Sequence, residues 1–200
     1  EGIREVTEDA ILTEDGVRHE VDTIIFGTGF HVGTPAFSRA VHGIGGRSLA
    51  DAWDGSPRAY LGATVSGFPN MFILGGPNTG LGHTSVVLMM ESQLAMVIDA
   101  LKHMRAQNLT QIDVRQEVMD GYVQELDSRA QGTVWSSGGC SSWYLDATGR
   151  NSTLWPGFTF SFMRRTRFRA QDYHLLPAVL RPVRDEPMMP ELQSAASLPN

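Results

Sequence analysis

The stretch FPNMFILGGPNTGLGHTS, residues 68–85, decides how this chain folds. An apolar run at residues 71–74 leads into an eight-residue loop, residues 75–82, that holds four glycines, one proline and one asparagine. A long run with helical spacing of apolar residues begins near Ser85. Glycine lets another group approach the backbone closely, so the pattern predicts a buried strand, a loop that lies against something, and a helix.

The helix is the clearest of these predictions. Apolar residues recur at three- and four-residue spacing over residues 85–104: Val87, Met90, Leu94, Val97, Ile98 and Leu101. Glu91, Asp99 and Lys102 lie off that face, as expected of an amphipathic helix. The sequence also predicts a short helix around residues 49–53, a strand at 111–114 and a second long helix at 116–130.

Four further segments complete the predicted α/β fold. Asp15-Gly16 lies between two extended runs and indicates a β-hairpin. The apolar, β-branched residues 23–26 predict a strand buried on both faces, parallel or nearly parallel to the strand at 71–74. Alternating Phe158, Phe160 and Phe162 predict a half-buried strand. The last 24 residues, 177–200, contain five prolines without periodicity and suggest an extended arm or a disordered tail.

Composition excludes several classes of function. The net charge of −6 disfavours nucleic acid or an anionic membrane as the main partner, and no apolar run is long enough to span a bilayer. The single cysteine, Cys140, permits no internal disulfide and favours a reducing compartment, so we expect a cytoplasmic protein. The six histidines lack metal-ligand spacing, so no metal site is expected. The N-terminus has no signal-peptide pattern and resembles the middle of a longer chain.

Two glycine clusters are candidate ligand loops. IIFGTGFHVG, residues 24–33, has Gly-x-Gly-x-x-x-Gly spacing, and Pro35 interrupts the helix that a dinucleotide-binding loop requires. The loop at 75–82 instead precedes a helix, whose N-terminal N–H groups favour a negatively charged ligand. A tight turn without a ligand explains the same glycines, and on the pattern alone both interpretations stay open.

Three stretches together resemble a known family. YLGATVSGFPNMFILGGPNTGLGHTSVVLMMESQ, residues 60–93, resembles the C-terminal part of the FAD domain of flavin-dependent Baeyer–Villiger monooxygenases and of their flavin-containing monooxygenase relatives. VDTIIFGTGF, residues 21–30, resembles the Ala-Thr-Gly linker motif of that superfamily, with Gly27 in place of alanine. CSSWYLDATGRNSTLWPGFTF, residues 140–160, is similar to the stretch that carries the family's Ser-Trp-Tyr motif.

The resemblance implies a domain organisation. The chain would be the C-terminal part of a flavoprotein with two dinucleotide-binding, Rossmann-like domains. Residues 1–30 would be the end of the NADPH domain and a linker hairpin, residues 31–176 the C-terminal part of the FAD-binding domain, and residues 177–200 a proline-rich tail. The family's FAD fingerprint, its NADPH fingerprint and its Phe-x-Gly-x-x-x-His signature do not occur in the 200 residues. The expected partner is therefore the missing N-terminal half of the same enzyme.

The resemblance also implies a function. Such enzymes use FAD and NADPH to insert one oxygen atom from molecular oxygen into a ketone or heteroatom of an organic substrate, through a flavin peroxide. The loop and helix start near Gly80 would lie against the flavin ring, and Trp143 would contact NADP. The implied cofactor-binding residues are Thr28, Gly29, Pro77, Asn78, Thr79, Gly80, Leu81, Gly82 and Trp143; catalytic residues are not identified. The alternatives are a related flavin reductase, or a non-catalytic structural or interaction fragment that self-associates.

Several side chains keep two interpretations. Asn78 either bonds the flavin or completes a turn, and His83 either reaches a cofactor or caps the start of the helix. Trp143 either contacts a cofactor or pins its loop, whereas Trp135 and Trp155 are expected to pack. The arginine cluster either is solvated or acid-paired, or docks the NADPH phosphate: Arg164, Arg165, Arg167 and Arg169. Cys140 is expected to pack as a small residue rather than to act as a nucleophile.

Overall fold

The N-terminal part of the chain is a small antiparallel sheet. A computed structural model describes residues 1–27, 35–137 and 142–178 and divides the chain into two compact units, residues 1–32 and 33–200. In the first unit, β1 (Ile3–Val6), β2 (Ala10–Thr13) and β3 (Arg18–Glu20) pair in the order β1-β2-β3. The β2–β3 turn has Gly16 at φ +83° and a hydrogen bond from Thr13 N to Val17 O of 3.0 Å, which confirms the predicted hairpin.

The two predicted buried strands do not form. Residues 23–26 have no strand structure, and Ile25 and Phe26 are 90% and 80% exposed. Residues 71–74 are also irregular, although Ile73 N donates to Ala63 O at 2.8 Å. A strand needs a neighbour to accept and donate its ladder hydrogen bonds, and the described part of the chain provides none for either segment. The prediction of a small sheet built on these two strands is therefore wrong.

The second unit is mainly helical. Its helices are α1 (Leu49–Trp53), α2 (Val86–Ala106), α3 (Gln116–Ala130), α4 (Val134–Ser137) and α5 (Thr159–Arg165). Short 3₁₀ turns occupy Ala36–Arg39, Ile44–Gly46 and Ala170–Asp172. Ser85 caps α2, because its hydroxyl accepts from Val87 N. The helices predicted at 49–53, 85–104 and 116–130 are confirmed.

Helix α2 turns an unexpected face towards the core. It buries Met89, Gln93, Met96 and Ala100. Most of the apolar stripe that the sequence analysis identified is exposed: Val87, Met90, Leu94, Ile98 and Leu101. We call these five residues the α2 stripe. A helix that is apolar on two faces is suited to burial on both sides, and within the described residues only one side is covered.

A two-stranded ladder closes the second unit. Strand β4 (Leu109–Val114) pairs antiparallel with β5 (Tyr173–Pro177), from Leu109 opposite Pro177 to Val114 opposite Tyr173. Strand β4 confirms the prediction at 111–114. Strand β5 was not predicted, and its last residue, Pro177, is the first of the expected arm. Residues 179–200 of that arm lie outside the described residues.

The core gathers side chains from α1, α2, α3, α5 and the ladder. Its largest fully buried members are Trp53, Phe162, Leu49, Met89, Met96 and Leu126. The segment predicted as a strand at residues 158–162 lies at the start of α5, so that prediction is wrong. Phe162 is fully buried with its ring 5.2 Å from that of Trp155, whereas Phe158 and Phe160 stack on each other at the surface.

Replacing Phe162 and Phe160 separately distinguishes this helix from a strand. We expect Phe162→Ala to lower the free energy of unfolding by about 3–5 kcal/mol, because it empties a fully buried site. Phe160 is 68% exposed, and Phe160→Ala should cost less than about 0.5 kcal/mol. Urea denaturation followed by circular dichroism measures both values. Similar costs for the two variants would place both rings on one face of a strand and contradict the helix.

Candidate cofactor-facing site

The glycine loop, residues 75–82, packs backbone to backbone on a neighbouring turn. A Cβ atom on Gly76 would lie 2.3 Å from Gly62 O, and one on Gly62 would lie 2.3 Å from Thr79 Cγ2. Gly62 also has a φ of +63°, which disfavours other residues. These two glycines are therefore required by a close approach within the chain itself.

Gln93 fixes the loop to helix α2. Its side chain is fully buried, its Nε2 donates to Leu61 O at 3.0 Å, and its Oε1 accepts from Gly75 N at 2.8 Å. Both ends of a buried amide are thus satisfied, which offsets the cost of removing the amide from water. The glutamine holds the turn at Leu61 and the start of the glycine loop at a fixed separation.

The other side of the loop runs along residues 152–155. Asn78 N donates to Ser152 O at 2.8 Å, Gly80 N donates to Thr153 O at 2.9 Å, and Trp155 N donates to Gly80 O at 2.9 Å. Gly80 and Leu154 form a parallel bridge. The loop is consequently held like a short strand between the Gly62 turn and this segment.

Asn78 makes three side-chain hydrogen bonds, more than any other residue of the loop. It is buried with a left-handed φ of 56°, a conformation that asparagine tolerates better than most residues. Its Nδ2 donates to Asn151 O at 2.7 Å and to Leu154 O at 3.1 Å, and its Oδ1 accepts from Arg150 Nη2 at 2.7 Å. Of the two interpretations of Asn78, this geometry supports completion of a turn.

Asp146 organises the turn that carries Arg150. Its Oδ1 accepts from Thr148 N, Thr148 Oγ1 and Arg150 N at 2.9, 2.7 and 3.1 Å, and its Oδ2 accepts from Ser56 Oγ at 2.7 Å. Burial acts to raise the pKa of the Asp146 carboxyl, but these hydrogen bonds outweigh it, and the pKa lies below the ordinary value of 3.8. The turn is therefore built around an ionised carboxylate.

The loop retains unused donors. The N–H groups of Asn78 and Gly80 are bound to Ser152 and Thr153, whereas those of Thr79, Leu81 and Gly82 meet no acceptor among the described residues. Helix α2 begins at Val86, so the expectation of a helix start near Gly80 is wrong. The unused donors belong to the loop itself, because residues 83–85 separate the loop from the first turn of the helix.

A cavity of about 250 Å³ opens beside the end of the loop. It is lined by Gly82 and His83, by α4 and by Leu154, Trp155 and Gly157. A Cβ atom on Gly82 would lie 3.0 Å from Cζ2 of Trp135, which is partly exposed, so Trp135 does not pack as fully as expected. Trp155 is buried and packs as predicted.

The remaining sequence candidates fall into two groups. Trp143 is 56% exposed and lies against Tyr144 with ring centroids 4.3 Å apart, and the His83 ring meets Phe158 edge-on at 6.1 Å. Thr28, Gly29 and Cys140 lie outside the described residues.

The part of the chain that the structure describes contains no cluster of three metal-ligating side chains, and none of its helices is long and apolar enough to cross a bilayer.

The arginine cluster includes one structural ion pair. Arg165 donates to both oxygens of Glu125 at 2.7 and 2.5 Å, and its guanidinium lies 5.5 Å from the Tyr122 ring centre. These hydrogen bonds lower the pKa of Glu125. Arg165 is thus acid-paired, as one of the two interpretations held, and Arg164, Arg167 and Arg169 are exposed.

Sequence reasoning did not identify the residues that hold the loop in place. Gln93, Asp146 and Arg150 are each ordinary in composition, and their partners lie up to 93 residues away in the chain. A polar residue inside an otherwise apolar helix face was the available signal for Gln93. No local pattern indicated Arg150 or Asp146.

Adding one methyl group tests the close packing of the loop. Gly76→Ala should lower the free energy of unfolding by about 1–3 kcal/mol, since the new Cβ meets a backbone oxygen that cannot rotate away. Gly121→Ala in α3 is the matched control, because no atom lies within 4 Å of its Cβ position. The control should raise stability by about 0.5–1 kcal/mol through helix propensity. Urea denaturation that finds Gly76→Ala neutral would contradict the contact.

The Asp146 turn predicts a specific acid sensitivity. A carboxyl with a lowered pKa contributes stability that is fully present above its unfolded pKa and is lost as pH falls through its folded pKa. Wild type should therefore lose stability more steeply below pH about 4 than Asp146→Asn does. Thr148→Val, which removes one of the hydrogen bonds, should give an intermediate slope. Unfolding curves at several pH values supply the slopes, and parallel curves for wild type and Asp146→Asn would exclude this role.

Comparison with known proteins shows what the chain is similar to. No family model matches the chain. It is 50% identical over 188 residues to a Baeyer–Villiger monooxygenase of Pseudomonas aeruginosa, a match that covers 93% of this chain and 36% of that relative. Its fold matches cyclohexanone monooxygenase from Rhodococcus sp. Phi1 bound to NADP+ with a TM-score of 0.65 and 28% identity, over 88% of this chain and 34% of that one.

A second solved structure agrees. The complex of OTEMO with FAD and NADP matches with a TM-score of 0.68 and 25% identity, over 86% of this chain and 33% of that one. The chain spans about a third of the length of the proteins it matches. Sequence identity over nearly the whole chain and a shared fold give the same answer: the chain is homologous to about one third of the Baeyer–Villiger monooxygenases that it matches.

Proposed function

We propose that the complete protein is an FAD- and NADPH-dependent monooxygenase that inserts one oxygen atom into a ketone or into a sulfur or nitrogen centre. We further propose that this chain forms the flavin-ring side of the cofactor site. The observation that carries the proposal is the glycine loop, which is fixed on both sides yet leaves the N–H groups of Thr79, Leu81 and Gly82 without acceptors in the described chain. The family relationship supports the choice of cofactor.

The loop suits a flavin for electrostatic reasons. FAD, once reduced by NADPH, supplies the oxygen-activating chemistry, and its ring carries negative charge at the pyrimidine end. Backbone N–H groups at a fixed position stabilise such charge without adding a reactive side chain. Gly80 itself is a packing residue in this proposal, because its N–H donates to Thr153. Pro77 has no N–H group, and the N–H and side chain of Asn78 are bonded within the chain, so both residues are proposed to shape the loop rather than contact the ring.

Two further segments are proposed to contact the cofactors. Trp143 presents an exposed indole, supported by Tyr144, that offers a flat apolar surface to the nicotinamide nucleotide. Thr28 and Gly29, in the linker motif, are proposed to approach the flavin. The cavity beside Gly82 adjoins the end of the glycine loop. A single cysteine in 200 residues supports a cytoplasmic setting for the enzyme.

The α2 stripe is proposed to pack against the part of the enzyme that this chain does not span. Its five residues form an apolar row on one side of a 21-residue helix. Monomeric proteins seldom leave such a row uncovered. The relatives are about three times as long as the matched region, which supports a covering partner in the same enzyme. Without that partner the stripe favours self-association of the chain.

Cofactor retention tests the proposal. The chain alone should lose FAD on desalting, because a few backbone hydrogen bonds at about 1 kcal/mol each fall short of the roughly 8 kcal/mol that micromolar affinity needs. Fusion to the preceding two thirds of the Pseudomonas aeruginosa relative should restore a yellow, stoichiometric complex. That fusion should oxidise NADPH and consume oxygen in step with product formed from a ketone.

Two results of these measurements would contradict the proposal. A stoichiometric FAD complex of the chain alone would show that the diphosphate-binding part is dispensable or is present here. A fusion that oxidises NADPH but transfers no oxygen to ketones, sulfides or amines would favour the related flavin reductases. The preceding two thirds expressed without this chain is the control, and it should not form a stable flavin complex.

A further inference from the structure

We infer that Arg150 is the positioning residue of the glycine loop: one guanidinium, bonded to three separate parts of the fold, sets where the loop presents its free N–H groups. The inference concerns a residue that acts through Asn78, and its importance for the flavin rests on the proposed function. No sequence motif indicated this role.

Arg150 satisfies three acceptors at once. Its Nε donates to Asp127 Oδ1 on α3 at 2.7 Å, its Nη1 to Pro57 O at 2.8 Å, and its Nη2 to Asn78 Oδ1 at 2.7 Å. The side chain is only 14% exposed. These partners are 23, 93 and 72 residues away in sequence, so the guanidinium joins three segments that have no local reason to meet.

The shape of the guanidinium matters as much as its charge. Its donors lie in one rigid plane and point in different directions, which matches three acceptors on three sides. An ammonium group on a flexible stem cannot reach all three places in that geometry. In the Arg150→Lys variant, at least one of Pro57 O and Asn78 Oδ1 would lose its charged donor, and an unpaired polar atom in a buried place is costly.

Arg150 reaches the free donors through Asn78. The Asn78 side chain is fixed on one end by Arg150 and on the other by the carbonyls of Asn151 and Leu154. That arrangement maintains the hydrogen bond from Asn78 N to Ser152 O and, through the backbone, the hydrogen bond from Gly80 N to Thr153 O. Thr79 lies between these two anchored residues, and Leu81 and Gly82 follow them directly. Loss of the anchor therefore moves the unused N–H groups together.

Asp146 and Asp127 support the arginine from two directions. Asp146 accepts from the Arg150 backbone N–H at 3.1 Å and so fixes where the side chain starts, while Asp127 holds Nε. The Asp127 carboxylate also compensates the positive charge in a mostly enclosed place. These two contacts therefore orient the arginine independently of its hydrogen bond to Asn78.

Amide hydrogen exchange of the whole 200-residue chain tests the inference. In Arg150→Lys, the amides of Asn78, Gly80 and Trp155 should exchange about tenfold or more faster, the effect of losing one charge-assisted hydrogen bond. The β4 amides, which lie in the ladder with β5, should keep their wild-type rates. Arg165→Lys is the matched control, because Arg165 is another partly enclosed arginine paired with a carboxylate, and its hydrogen bonds go to Glu125 rather than to the loop. It should leave the amides of Asn78 and Gly80 unchanged.

Two results would overturn the inference. One is an unchanged exchange rate at Asn78 and Gly80 in Arg150→Lys. The other is equal acceleration of loop and β4 amides, which would mean that Arg150 contributes only to global stability. Should Arg150→Lys fail to fold, Asn78→Gly takes its place, because glycine accepts the left-handed backbone of Asn78 and removes the Arg150 acceptor. It should accelerate the Gly80 and Trp155 amides by a similar factor while β4 stays protected.

A second readout separates this inference from the proposed function. In the fusion enzyme, Arg150→Lys should shift the flavin absorption maxima, whereas Arg165→Lys should not. Faster loop exchange together with an unshifted flavin spectrum would support Arg150 as the positioning residue and reject the flavin as the group that the loop faces. Wild-type exchange rates of the loop amides in Arg150→Lys would reject the role of Arg150, whether or not the flavin absorption maxima shift.

Discussion

The contact between Gly62 and Gly76 is the constraint on which the site depends. Two backbones approach so closely that a Cβ on Gly76 would lie 2.3 Å from a carbonyl oxygen. No side chain fits between the two backbones, so their N–H and C=O groups need hydrogen-bond partners from other parts of the chain. Gln93 of α2 supplies one set, and the segment 150–155 supplies the other. The loop is stable because three distant parts of the chain enclose it.

This enclosure explains how a glycine-rich loop can be held in one conformation. Glycine loses more conformational entropy on folding than other residues, so a loop with four glycines in eight positions needs compensation. Hydrogen bonds at Gly75, Asn78 and Gly80 fix every second or third residue. What stays available is a short row of N–H groups on a fixed backbone. Preorganised donors of this kind stabilise developing charge without a reorganisation cost.

Most local features were predictable from the sequence, and most features that need distant partners, with the exception of strand β4, were not. The Asp15-Gly16 hairpin and the helices at 49–53, 86–106 and 116–130 follow from turn chemistry and periodicity within one segment. Residues 23–26 and 71–74 have strand composition, but a strand also needs a neighbour. Phe158 and Phe162 are four residues apart, a spacing that places two side chains on the same face of either a strand or a helix. The pattern of these five residues therefore could not distinguish a strand from a helix. The Arg150 contacts span up to 93 residues and have no sequence signature.

The central claim is that Leu81 and Gly82, and not Gly80, present their N–H groups to the flavin. Amide chemical shifts of the fusion enzyme labelled with ¹⁵N-glycine and ¹⁵N-leucine test it directly, by comparison of the oxidised and reduced states. Reduction places negative charge on the ring, so a donor that faces it should shift strongly downfield. The account predicts large shifts at Gly82 and Leu81 and a small one at Gly80, whose N–H remains on Thr153 O. A shift at Gly80 as large as that at Gly82, or no shift at either, would contradict it.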